Sequence, residues 1–145
     1  MKNRLCAWLA ACLLPLSCMA AGSIEVSEAW ARATAPGQEV GAAYMELRSS
    51  QEASLTAVTS PAAGSIEIHN MTMNHGVMEM RMLQTLPLPT GHAVKLEPGG
   101  MHLMLLDLKK PLKAGDQITL TLKIKDKNGK IKSQSIHIPV HSTKD

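Results

Sequence analysis

Apolar and polar residues alternate along short runs from Ile24 to Val140, with glycine, proline or asparagine between the runs. The clearest run is QITLTLKIK. On a strand, successive side chains leave opposite faces, so Ile118, Leu120, Leu122 and Ile124 share one face and Thr119, Thr121 and Lys123 the other. DKNGK follows, and its Asn128-Gly129 is a dipeptide suited to a tight hairpin turn because both residue types accept positive φ. SIHIPV then returns with Ile136, Ile138 and Val140 inward. IEVSEAWARA, GAAYMELRS, ASLTAV, SIEIHN, VMEMRML, AVKLEP and MHLMLLDL read as further strands, bringing the total to about nine. No stretch sustains a helical period over three turns. This pattern predicts an all-β chain built as a sandwich or barrel. Pro98-Gly99-Gly100 reads as a tight turn that releases directly into His102.

Composition changes this picture in two ways. The chain contains no phenylalanine, two tryptophans and one tyrosine, so the core must rest on leucine, isoleucine, valine and methionine. The opening MKNRLCAWLAACLLPLSCMAAGS places Lys2 and Arg4 ahead of an apolar run from Leu5 to Leu16, followed by small residues. That is the form of a secretory signal peptide cleaved after Ala20 or Ala21, which predicts residues 1–21 as a removed signal and 22–145 as a single domain. A competing reading takes Cys18 as a lipoprotein processing site, although Pro15 departs from the usual signal. No later segment approaches the roughly 18 continuous apolar residues of a membrane-spanning helix. The expected location is therefore the periplasm, without a membrane span.

Cys6, Cys12 and Cys18 all lie in the predicted signal, so the expected mature domain has neither disulfide nor thiolate. Without Lys2 and Arg4 the chain carries 13 basic and 12 acidic residues, which implies no nucleic-acid partner. No nucleophile–base pair, paired carboxylates or phosphate loop is present, and the expectation is a non-enzyme.

The unusual chemistry lies in HNMTMNHGVMEMRM, residues 69–82, which holds five methionines and two histidines. Methionine often serves as a flexible filler of cores. A soft metal is the alternative. His102 and Met104 stand two residues apart and share a strand face, as do Met78, Met80 and Met82, so one of the latter can coordinate while the others pack or shield. Two imidazoles with two thioethers make a neutral, soft donor set that favours Cu(I) over Zn(II), Mg(II) or Ca(II). A structural zinc site or a blue-copper centre would call for cysteine.

The spacing H-x10-M-x21-H-x-M, filled by His69, Met80, His102 and Met104, resembles that of the periplasmic copper chaperones serving the CuA centre of cytochrome c oxidase, the PCuAC type. AWARATAPGQEVGAAYM, HGVMEMR and EPGGMHLMLLDLKKPLKAGD extend the resemblance from Ala29 to about Val140. The resemblance implies a cupredoxin-like β-sandwich that binds one Cu(I) per mature chain through those four residues. It also implies delivery to an apo copper protein, cytochrome c oxidase subunit II, alongside other copper chaperones or a thiol reductase, by a monomer. Some members carry a histidine- and methionine-rich C-terminal tail, whereas this chain ends HIPVHSTKD, leaving His137 and His141 and no strong second site there. Copper buffering without a specific acceptor is the alternative function. Met71, Met73, Met78, Met82 and Met101 read as packing or shielding residues, His75, His92, His137 and His141 as surface residues, and Trp30 and Tyr44 as anchors of the core.

Overall fold

The computed structural model describes residues 24–142, so the predicted signal and Cys18 lie outside the described residues. Those residues form ten strands and no helix. In chain order they are β1 (Ile24–Arg32), β2 (Gly41–Ser49), β3 (Ala53–Thr59), β4 (Ala63–Asn74), β5 (Val77–Leu83), β6 (Leu86–Leu88), β7 (Ala93–Leu96), β8 (His102–Leu108), β9 (Gln117–Asp126) and β10 (Ile131–His141). All nine runs expected from the sequence are strands. The addition is β6, whose Leu-Pro-Leu pairs with β3 at Ala53 to Leu55. Its three residues and central proline are too short and too interrupted to show an alternation.

The sheet runs β5-β4-β8-β2-β1-β10-β9-β3-β6, with β7 on β2, and a further β3–β4 pairing brings its ends together. Seven strands thereby close into a sandwich-like barrel, and β5, β6 and β7 hang from its rims. Closure rests on one pair, Val58 with Ile66. Only the β1–β10 pairing is parallel, through Ala31–Val140 and Arg32–His141.

Inside, Leu47, Leu55, Leu103, Leu105, Leu120, Leu122 and Ile138 are fully buried and Met45 joins them, whereas Tyr44 is buried on the outer face against Trp30. Ile118, Leu120, Leu122 and Ile124 all point inward, as the alternation on β9 requires. His137 faces out, its ring Nδ1 2.9 Å from the Thr119 hydroxyl across the strand pair. The β9–β10 turn differs from the two-residue form expected. Gly129 has φ 82° while Asn128 stays out of the left-handed region, and Gly129 N–H donates to the Asp126 carbonyl at 3.0 Å. This is a type I turn closed by a left-handed glycine, the longer hairpin connection. The two-residue turn is found instead between β4 and β5, where His75 and Gly76 have φ of 49° and 79°.

Strand β4 is the longest, and its two edges have different partners along its length. One edge pairs with β8 from Ala63 to His69. The other meets β3 at Ile66 and then β5 from Ile68 to Asn74. Beyond His69 the β4–β5 hairpin has no third strand beside it and projects from the barrel.

Candidate metal centre

The last rung of the β4–β8 pairing places His69 opposite His102, and the same His69 lies opposite Met82 on β5. Directly paired residues present their side chains on one face of a sheet. The preceding rung, Ile68 with Leu103, points the other way into the core, where these residues are 4% and 0% exposed. The histidine rung therefore lies on the outer face. Alternation puts Met104 on that same face, between Glu67 of β4 and Ala42 of β2. Met80 pairs with Met71 one same-face step farther out, diagonal to His69. The four residues singled out by spacing thus share one face of three adjacent strands. His75 and His92 are exposed surface residues away from this rung, and His141 stacks on Trp30 at 5.9 Å between ring centroids.

Both imidazoles are held by one nitrogen and open at the other. His69 Nε2 lies 2.7 Å from Glu67 Oε2, so the carboxylate accepts from an Nε2–H and the lone pair falls on Nδ1. That Nδ1 is buried and has no hydrogen-bond partner. His102 donates from Nδ1 to the Gly100 carbonyl at 3.1 Å, leaving its lone pair on Nε2. The ring centroids are 5.8 Å apart. A buried lone pair without a donor is a costly arrangement unless something supplies a positive partner. Holding one nitrogen by a carboxylate or backbone carbonyl is also the usual way a metal-binding imidazole is oriented. The side chains present therefore fit a soft cation.

The Pro98-Gly99-Gly100 turn explains how His102 is reached. Gly99 has φ 84°, Gly100 N–H donates to Glu97 O at 3.0 Å, and Glu97 N–H donates to Met101 O at 2.8 Å. Proline followed by a left-handed glycine is the sequence a type II turn requires. The same turn aims the Gly100 carbonyl at His102.

Segment 33–40 shelters the site, leaving a hollow of about 170 Å³ lined by Arg32, Gln38, Val40, His102 and Met104. His102 is 6% exposed. By contrast Met80 and Met82 are about half exposed. The larger hollow, about 620 Å³ around Trp30, Arg32, Pro98 and His141, brings together no comparable donor set. Among the described residues no three His, Cys, Asp or Glu side chains converge as a metal cage.

Sequence reasoning missed Glu67 and the Gly100 carbonyl. Glu67 was within reach of it, since it lies two residues before His69 and so shares its strand face. The carbonyl depends on the turn's geometry, which no residue type encodes.

The family model described as "Putative lipoprotein LpqE-like" matches residues 24–140. The chain belongs to this LpqE-like, PCuAC-related family. Within the family, it is similar to the "Putative lipoprotein Lxx21020" of Leifsonia xyli, 34% identical over 107 residues, 73% of this chain and 64% of that protein. The chain spans less than two thirds of the length of the curated relatives it matches. Among solved structures, the apo PCuAC domain from PmoF1 is 27% identical with a TM-score of 0.66, covering 83% of this chain and 94% of that one. The Cu(I) form of DR1885 from Deinococcus radiodurans is 30% identical with a TM-score of 0.59, covering 81% of this chain and 76% of that one. The PCuAC-type domain described here thus shares its β-fold with copper-binding proteins.

Proposed function

We propose that this chain is an exported Cu(I) carrier that holds one copper ion through His69, Met80, His102 and Met104 and passes it to an apo copper protein, the CuA site of cytochrome c oxidase subunit II. The observation that carries this reading is the His69–His102 rung, where each imidazole is anchored at one nitrogen and one free nitrogen is buried without a partner. Met104 and Met80 extend the same face with thioethers, which prefer soft monovalent copper. The copper named for DR1885 and the lipoprotein names of the family and relative support cargo and export respectively.

Release follows from the same donors. Imidazoles and thioethers carry no charge with which to hold the cation, and Met80 stands at the exposed rim. An incoming thiolate can replace the thioethers one at a time, so copper need never be free in solution. Transfer therefore runs toward an acceptor bearing cysteines.

The test mixes the Cu(I)-loaded protein with a reduced, apo subunit II domain, separates the two, and measures copper on each. Copper is expected on the acceptor. Copper retained wholly by this protein, under conditions where the acceptor takes up free Cu(I), would refute delivery and favour buffering.

A further inference from the structure

The β4–β5 hairpin carries more thioethers than one ion requires. Met71 pairs with Met80 and Met73 with Met78, and these rungs continue the face that begins at His69–Met82. Met73 is 65% exposed, and Met78, Met80 and Met82 are each about half exposed. These side chains do not fill a core. The opposite face of the projecting hairpin carries Asn70, Thr72, Asn74, Glu79 and Arg81, with Val77 beside the turn, so apolar surface is concentrated on the methionine face. Glu79 accepts from Asn74 and Arg81, both at 3.3 Å, on that polar face.

The outer face of the β9–β10 pair is solvated conventionally. The β9–β10 pair displays Thr119, Thr121, His137 and Ser135, joined by hydroxyl and imidazole hydrogen bonds. A hairpin that needed only solubility and β-structure would be better served by such residues, because exposed apolar area is unfavourable at roughly 25 cal/mol per Å². The hairpin instead devotes one entire face to sulfur. Its type I′ turn at His75-Gly76 fixes the register, so Met73 and Met78 face each other directly.

Directly paired strand residues have Cβ atoms about 4.5–5.5 Å apart, a gap that flexible thioether side chains can close around one ion. Met71 lies on the next rung, about 7 Å along the strand, and can reach either way. We infer that Met73 and Met78, assisted by Met71, form a second and weaker site for a soft monovalent cation, Cu(I) or Ag(I), at the hairpin tip. The ion held there stands two same-face steps from His69, and Met71 and Met80 bridge the interval. The hairpin is thus an entry ladder: exposed thioethers at the tip capture the ion loosely, and the sheltered imidazoles below hold it more tightly. As a route to the rung, this rests on the copper-carrier reading, whereas the tip site itself does not.

The test titrates Ag(I), then Cu(I) under reductant, into the purified protein while following the methionine ε-methyl resonances and the equivalents bound. A second, weaker equivalent is expected to shift the Met73 and Met78 methyls. In the Met73→Leu/Met78→Leu variant, which keeps the hairpin's apolar volume, that equivalent is lost and the tight one is unchanged. In His102→Ala the tight equivalent weakens and the tip equivalent remains. Binding of the tight equivalent alone, a second that leaves both methyls unmoved, or a second that survives in the double variant would overturn the tip site. Loss of the tight equivalent from the unaltered protein would instead overturn the copper-carrier reading and leave the tip site to stand on its own shifts.

Discussion

Glu67 is the residue on which the orientation of His69 depends. Its carboxylate fixes Nε2 as the donor and so leaves the lone pair on the buried Nδ1. Glu67→Gln preserves size but replaces a carboxylate with an amide, which holds an imidazole N–H less firmly and can turn its own N–H₂ toward the ring. Losing such a partner typically costs about 10–100-fold in metal affinity. We expect that loss in Cu(I) affinity by competition with a chromogenic chelator, with the thermal stability of the metal-free protein nearly unchanged because Glu67 is partly exposed. An unchanged affinity would make the contact incidental. That His102 and Met104 share one strand face, and Met78, Met80 and Met82 another, was legible from alternation alone. Which nitrogen of each ring is open was not legible. It is decided by Glu67 and by a backbone carbonyl that a turn swings into place.

Among the elements, the β9–β10 hairpin shows how much depends on one loop residue. Asp126 Oδ1 accepts from the backbone N–H of Lys130 at 3.0 Å and of Asn128 at 2.8 Å. These bonds, the Lys130 one foremost, with help from the Lys132 and Lys130 charges, hold its carboxyl below the ordinary carboxylate range. A depressed acid stabilises the fold above its unfolded-state value and loses that contribution as pH falls through the folded one. Asp126→Ala should therefore lower the melting temperature by a small amount at neutral pH. The gap to the unaltered protein should close in strong acid, as followed by circular dichroism melts at the two pH values. A gap that persists in acid would assign the effect to something other than the charge. The nine longer strands could be read because they are short runs bounded by turn residues, several with a one-sided alternation, as Ile118 to Ile124 illustrates. Two features resisted reading. β6 is too short for a period, and the choice between the two hairpin turns went to His75-Gly76 rather than Asn128-Gly129, since Asp126 captures the latter loop with its own side chain.

At the scale of the molecule, strand order is what the sequence withheld. Nothing in the alternation of β4 indicates that it pairs with β8, thirty-odd residues on, or that β1 and β10 lie parallel. Such partnerships follow from closing a single core. Gly64 is one visible constraint on them, since a Cβ there would come within 2.8 Å of the Asp107 Cβ on β8. That close approach pins β4 to β8 and so keeps His69 level with His102. The other edge of β4 is held differently. Its contact with β3 is the single pair Val58–Ile66, whereas β8 secures it over a run from Ala63 to His69. In the language of hydrogen exchange, the barrel has a seam with one stitch. Amides facing that seam should exchange with deuterium faster than those of the same strands facing β8 or β9, because opening there breaks few hydrogen bonds. Heteronuclear NMR spectra recorded after transfer to heavy water would show the difference, and equal protection on both edges would refute it. The histidine rung belongs to the firmly sewn edge. The molecule can therefore breathe along its seam many times without pulling His69 away from His102.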